Sequence, residues 1–326
     1  MSKLKGIKQF FRNHRDNCLF GAVFKAYRFL CDIYYNAKCR SFARLLRKKY
    51  KLDEKGCFDR ERFKSKYRLA ILAIFRGEDE YLVDWIEFHK RVGVDHFFLY
   101  DNGASQKSKD ILKPYIDENI VTYIPFPNLP EPKMRSSYGW KEFSKVSIQK
   151  LAYGDCPIMY KDYFDWLIKI DLDEYLYPRP PYKSLKDVFD IFDRENAGCV
   201  YFQSARFGPS GRLERTGKRV IDSYDMRYPV FDKNFKVAAR SNVIDSSYNF
   251  HGCHFFFVKK KAKVLYDDFT SKYVRLNHYY MKSKAEYADK IKINEQGYLK
   301  GKENIDKWDR VNAEASYKDE GEILQL

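Results

Sequence analysis

Two aspartates set two residues apart, Asp171 and Asp173, end the apolar run Trp166-Leu-Ile-Lys-Ile, and Glu174 follows directly. In extended backbone, residues two apart share a face, so this pair can converge on one divalent cation through hard oxygen ligands. Mg2+ and Mn2+ both suit such a site and both bridge diphosphates. A lone Asp-x-Asp is common by chance and reads as two solvated turn acids. The apolar approach and the added Glu174 lift this one above that reading. A further ligand is expected downstream, with His251, His254 and His278 as candidates. The strand-like run Val274-Arg-Leu-Asn-His278 delivers His278 close to Lys282, pairing an imidazole for the metal with an ammonium for phosphate charge. The segment Phe250-His-Gly-Cys-His254 holds two imidazoles and one thiol, too few for a four-ligand zinc centre.

These residues need a frame. Arg68–Phe75 is a near-continuous apolar run, the mark of a strand covered on both faces. Helical spacing follows through Tyr81, Leu82, Trp85, Ile86 and His89. Further strands are predicted at Val94–Tyr100, Val121–Ile124 and Tyr163–Ile170, and helices at Ser108–Asn119 and about Lys141–Tyr153. A proline-rich loop runs from Pro125 to Lys133. The alternation implies an α/β fold with a mostly parallel central sheet. In such sheets ligands sit beyond the carboxyl ends of the strands. Arg76–Asp79, Asp101–Ser105 and Asp171–Glu174 all fall there. Beyond residue 175 the style changes to shorter strands, such as Cys199–Gln203 and Phe255–Val258, and a helix at Lys284–Ile293.

The chain has 326 residues and a net charge of +16, with 61 Lys/Arg and 45 Asp/Glu. With 44% hydrophobic residues it can bury a sizeable core, which excludes disorder of the whole. Residues 1–51 carry 14 Lys/Arg and 2 Asp/Glu, a net +12, so the basic character belongs to that segment. Phe20, Val23, Phe24, Tyr27, Leu30, Cys31 and Tyr34 recur at helical spacing there. Two readings stay open: a helical appendage with a solvated basic face, or an interfacial helix on anionic lipid. Nucleic-acid binding finds no supporting motif. No run approaches the roughly 20 apolar residues of a membrane span, nor is there a signal-peptide pattern. The expectation is a cytoplasmic protein, peripheral on the inner face of the membrane if the second reading holds. Seven scattered cysteines without a CxxC imply free thiols rather than a disulfide framework. The expected division is a basic helical segment and linker over 1–67, a catalytic domain over 68–300, and a charged, solvated tail over 301–326.

Several motifs resemble glycosyltransferase family 92 and related family 2-like proteins. They are Glu80-Tyr-Leu-Val-Asp-Trp85-Ile-Glu-Phe-His89, Gly93-Val-Asp-His-Phe-Phe-Leu-Tyr-Asp101-Asn102, Gln149, Asp171-Leu-Asp-Glu174, Phe207-Gly-Pro-Ser-Gly211, His254 and Asn277-His-Tyr-Tyr-Met-Lys-Ser283. The resemblance spans about residues 68–295 and omits the basic segment. It implies a GT-A-like fold and transfer of a sugar from a nucleoside diphosphate sugar, UDP foremost, to an acceptor hydroxyl. It assigns Asp171, Asp173 and His278 to a Mn2+ or Mg2+ site. Arg76, Glu78, Asp101, Gln149, Asp171 and Lys282 would then lie along the nucleotide-sugar. This chain has Arg76-Gly-Glu78 where family proteins often carry Asn before the acid.

In such a reaction a diphosphate leaves the anomeric carbon while a hydroxyl attacks. A metal neutralises the leaving group, and Lys282 and Lys290 add to that field. An inverting reaction needs a proton acceptor, for which His251, His254, Asp222 and Asp225 are the candidates. Tyr138 and Trp140, in the loop over 125–140, are candidates for a donor-covering lid. The acceptor is expected to be a glycan or a glycolipid, in surface polysaccharide or lipopolysaccharide synthesis. The competing readings are a non-catalytic nucleotide- or carbohydrate-binding protein on the same fold, and a metal-dependent phosphohydrolase or nucleotidyltransferase. The latter would usually show more clustered His and Asp.

Overall fold

The computed structural model describes residues 30, 33–34, 36–37, 39–41, 43–45, 47–48, 66–126, 133–134, 144–145, 148–232, 234–245, 252, 254–294 and 304–325. The apolar run becomes β1 (Tyr67–Phe75), and it is covered on both sides. Leu69, Ile71, Ala73 and Phe75 enter one core, whereas Ala70 and Leu72 enter the other. The period-two alternation of strand side chains therefore feeds two hydrophobic layers at once.

β2 (His96–Asp101) and β6 (Phe164–Lys169) flank β1, and β3 (Val121–Pro125) lies outside β2, all parallel. The expected parallel sheet is this half. Past β6 the sheet turns mixed. β10 (Phe235–Arg240) pairs antiparallel with both β6 and β8 (Ala197–Arg206). β12 (Val274–His278) runs parallel to β8, and β7 (Glu174–Pro178) closes the edge antiparallel to β12. β11 (Lys263–Leu265) also pairs with β8. The short pairs are β4 (Lys133–Met134) with β5 (Ser144–Lys145), and β9 (Met226–Arg227) with β13 (Tyr317–Lys318).

The helix Asp79–Arg91 buries Leu82, Trp85, Ile86, Phe88 and His89, with acids in its first turn and bases in its last, as the helix dipole favours. Trp85 Nε1 donates to the Glu174 carbonyl at 2.8 Å, and His89 Nε2 accepts from Leu176 N at 3.2 Å, so this helix is tied to β7. The other face is covered by the helix Ile148–Tyr160 and by Cys39 and Ala43. Phe20, Val23, Phe24, Tyr27 and Cys31 of the predicted helical face lie outside the described residues, while those described from 30 to 48 are helical. They are docked by a buried ion pair, Arg47 to Asp155 at 2.6 Å. Cys39, Cys156 and Cys199 are buried free thiols.

Three expectations are corrected. The helix anticipated over Lys141–Tyr153 begins instead at Ile148 and runs to Tyr160, because Ser144–Lys145 is drawn into a β-pair. Phe255–Val258 forms no strand; only Val258 makes a bridge, to Ile244. The end of the chain is not a solvated tail. A helix over Asp306–Glu314 buries Trp308 and Val311, and Asp319 is enclosed between Arg227 and Arg275. Apolar residues among the charges decide this outcome: once Trp308, Val311 and Ile323 are buried, the charges between them need partners. Among the described residues no helix is long and apolar enough to cross a membrane.

Candidate active site

The acidic step lies where β6 ends and β7 begins. It is a turn rather than extended backbone. Glu174 N donates to the Asp171 carbonyl at 3.0 Å, and Asp171 N donates back to Glu174 Oε2 at 2.9 Å. The two aspartates therefore meet different partners. Asp171 Oδ1 accepts from the Tyr153 hydroxyl at 2.8 Å and faces Gln149 Nε2 at 3.5 Å, while its Oδ2 takes Lys236. Asp173 Oδ2 lies 3.2 Å from Lys290 Nζ, and its Oδ1 lies 3.4 Å from His278 Nε2. His278 reaches that point because β12 sets it opposite Glu174, with His278 Nδ1 3.7 Å from Glu174 Oε1.

Burial disfavours every charge here, and the partners decide the outcome. Burial works against ionised Asp171, yet Lys236 holds it below the usual carboxylate range. Asp173 is likewise opposed by burial, and Lys290 and then His278 hold it well below that range. Glu174 goes the other way: its burial outweighs Lys236 and pushes it up. The His278 pKa rises, because Asp173 and Glu174 overcome its burial. Burial lowers Lys282, whose ammonium sits 4.3 Å from the centre of the Tyr81 ring. Glu78 is pushed up to about 7 by burial and then by Asp173. Gly77, at φ +65°, makes the left-handed turn that leads from Arg76 into Glu78.

Asp171, Asp173, His278, Glu78, Gln149 and Lys282 are thus brought together. Arg76 is half-buried at the end of β1, two residues before Glu78. Asp101 is drawn into its own loop. Its carboxylate accepts from the backbone N–H groups of Gly103, Ala104 and Ser105 and from the Tyr123 hydroxyl. That set organises the loop after β2 and leaves little of the carboxylate for a nucleotide. Asp222 is clamped by Arg219 through two hydrogen bonds at 2.6 and 2.9 Å, and Asp225 is exposed. Asp225 N donates to Ser210 Oγ and its carbonyl accepts from Asp319 N, so among the described residues neither acid is hydrogen-bonded to the Asp171–Glu174 turn. His254 is exposed, and its Nδ1 meets the Phe235 carbonyl at 3.2 Å, one residue from Lys236. Desolvation and then the Lys236 ammonium lower its pKa. His251, Tyr138 and Trp140 lie outside the described residues.

Three contributors escaped the sequence reading. Lys236, 4% exposed, bridges Asp171 and Glu174, 2.9 Å from Glu174 Oε2. Its signal was a lysine inside the otherwise apolar stretch Phe235-Lys-Val-Ala-Ala. Tyr153 holds Asp171. Lys169, buried in β6, donates to the carbonyls of Gly252 and Phe255 at 3.1 and 3.0 Å, under the Phe256 ring. It thereby ties the segment bearing His254 to the strand that leads into Asp171.

Among the described residues no group of three or more His, Cys, Asp and Glu is gathered as a ready metal site. The donor chemistry of Asp173 with His278, a carboxylate and an imidazole side by side, nevertheless suits Mn2+ or Mg2+. Ammonium groups of Lys236 and Lys290 balance the remaining carboxylate charge.

Residues 72–320 match the profile of Glycosyltransferase family 92, which takes in the acidic turn, His278 and the three lysines around them. The chain belongs to glycosyltransferase family 92. A rice family 92 protein, Os08g0121900 of Oryza sativa subsp. japonica, is 24% identical over 251 residues, covering 75% of this chain and 39% of its own length. The castor bean (Ricinus communis) family 92 protein RCOM_0530710 is 22% identical over 195 residues, covering 57% of this chain and 32% of its own. The chain thus spans well under half the length of these relatives. Among solved structures, S. aureus TarS 1–349 aligns over 76% of this chain and 70% of its own, at 9% identity and TM-score 0.35. The mannosyltransferase PcManGT from Pyrobaculum calidifontis, solved with GDP-Man and Mn2+, aligns over 75% and 66%, at 9% identity and TM-score 0.30. Both scores are too low to map residues of this family 92 domain onto theirs.

Proposed function

We propose that this family 92 protein transfers a sugar from a nucleoside diphosphate sugar, UDP-linked first among them, to a hydroxyl of a glycan or glycolipid acceptor. The pairing of Asp173 with His278 at the end of β6, with Lys282 and Lys290 close by, carries this reading. Alternating acidic and cationic groups suit a diphosphate whose charge grows as it leaves.

Asp173 and His278 would hold Mn2+ or Mg2+, with Asp171 beside them. When bound, such an ion supplies Lewis-acid stabilisation of the departing diphosphate. The lysines do related work without it. Lys290 on Asp173 and Lys282 over Tyr81 both bring ammonium charge to bear on Asp173. Tyr153 and Gln149 orient Asp171 from the helix behind it. Of the base candidates among the described residues, His254 stands beside Lys236, away from the Arg219 that holds Asp222. The Phe235 carbonyl can only accept, so Nδ1 carries the hydrogen and Nε2 is left to take a proton from the attacking hydroxyl.

The test is a panel of nucleoside diphosphate sugars incubated with the full chain, with Mn2+ or with a chelator, reading nucleoside diphosphate release and transfer to added glycan. Release with one donor that falls at least about a hundredfold in Asp173→Asn, and that ceases with chelator, is the expected result. Binding of donors with no turnover under any condition would instead favour a non-catalytic carbohydrate-binding role.

A further inference from the structure

The helical residues between 30 and 48 divide into two stripes. Asn36, Cys39, Ala43 and Arg47 recur at steps of three and four and are all buried against the domain. Leu30, Ile33, Tyr34, Ala37, Ser41, Arg44, Leu45 and Lys48 take the opposite side and are all exposed. Leu30 is 63% exposed, Ile33 42%, Tyr34 56% and Leu45 63%. Soluble surfaces carry single exposed apolar residues freely, whereas several of them at helical spacing on one side need an explanation.

Arg47 anchors the buried stripe to the domain. Arg47 donates from Nε and one terminal nitrogen to the two oxygens of Asp155, at 2.9 and 2.6 Å, with both residues buried. The Tyr160 and Tyr100 hydroxyls complete the cluster at 3.2 and 2.7 Å. A bidentate pair of this kind holds one geometry, so the apolar stripe points away from the domain.

We infer that this outer stripe docks on an anionic phospholipid surface. Leu30, Ile33, Tyr34 and Leu45 enter the acyl boundary, and Arg44 and Lys48 lie at the headgroups. Charge complementarity selects this occupant. Residues 1–51 carry a net +12, which draws the helix to an anionic leaflet and repels a second copy of the same segment. A nucleic acid would use the cations but leave the aliphatic stripe in water. The inference stands independently of the transfer reading. It has a geometric consequence, because Asp155, Gln149 and Tyr153 share one helix. The membrane-facing helix and Asp171 grip the same element, Ile148–Tyr160, through Asp155 and Tyr153 respectively. The site is held about one helix diameter, roughly 10 Å, from the docked helix.

Flotation of the full chain with phosphatidylcholine vesicles, with and without phosphatidylglycerol, tests this. The wild-type chain is expected to float with the anionic vesicles, about tenfold more than with neutral ones, and to release as salt rises. Leu30→Asp with Ile33→Asp, and separately Leu45→Glu, should each lower binding about tenfold. Their melting temperatures should stay at the wild-type value, since these side chains are exposed. The inference is overturned if the wild-type chain stays unbound on anionic vesicles, if both variants float as well as it does, or if it binds a DNA duplex and ignores lipid.

Discussion

Lys236 Nζ lies 2.9 Å from Glu174 Oε2, and both side chains are almost wholly enclosed. The same ammonium serves Asp171, so one buried cation balances two carboxylates at the end of β6. Removing it takes the ammonium from enclosed Glu174 and leaves Asp171 to Tyr153 and Gln149. Lys236→Met is expected to destabilise the domain by about 3–5 kcal/mol, the usual result of breaking a buried pair from one side. Urea unfolding checks it. Adding Glu174→Gln to that variant should recover part of the loss, and an unchanged midpoint in the single variant would deny the pair its role.

Glu78 is poised to titrate near neutrality, at about 7, because burial and then Asp173 disfavour its charge. Below that value it is neutral; above it, in the proposed transfer reaction, one more anion would face the donor's diphosphate. The donor KM should therefore rise as pH goes from 6 to 8. A repulsion of about 1 kcal/mol corresponds to roughly fivefold. Glu78→Gln stays neutral throughout and should flatten the profile. If the variant keeps the wild-type slope, another group is responsible.

The two sides of the site differ in how readable they were. β1, β2, β3 and β6 announce themselves because parallel strands covered on both faces need uninterrupted apolar runs, and Asp171 could be placed at the end of one. Lys236 could not. Its position depends on the antiparallel register of β10 against β6, where Val237 stands opposite Lys169, and register across about 70 residues leaves no local periodicity. Asp101 shows the opposite failure. An acid at a strand end suggests a ligand contact, yet the residues after it, Gly103 to Ser105, supply the backbone donors that consume it. Sequence spacing put Asp171 and Asp173 on one face, but the hydrogen bond from Glu174 N to the Asp171 carbonyl curls the chain and separates their partners.

Arg47 and Asp155 give a cleaner energetic test, because they lie away from the acidic turn. Asp155→Asn leaves the guanidinium buried without its carboxylate and should cost about 3–5 kcal/mol. Arg47→Met leaves a carboxylate that still accepts from the Tyr100 hydroxyl, so its cost should be smaller. In a double-mutant cycle the coupling is expected to exceed about 1 kcal/mol. Additive losses would mean that the pair does not dock the helix.

His89 and His96 make acid sensitivity predictable. Both are enclosed, and burial lowers each pKa from 6.5 to about 3. His89 explains why protonation is resisted: Nδ1 donates to the Trp85 carbonyl, while Nε2 faces the N–H of Leu176 and must stay a bare acceptor. Between pH 6.5 and 3 the unfolded chain binds protons that the folded chain refuses, so stability falls as the pH drops through that window. Each histidine contributes a slope approaching about 1.4 kcal/mol per pH unit. His89→Leu removes one of these contributions but orphans the Leu176 N–H, which costs about 1–3 kcal/mol at neutral pH. Urea midpoints of the variant and the wild-type protein should therefore start apart at pH 7 and converge as the pH is lowered towards 4. Parallel curves would show that His89 accepts a proton in the folded state.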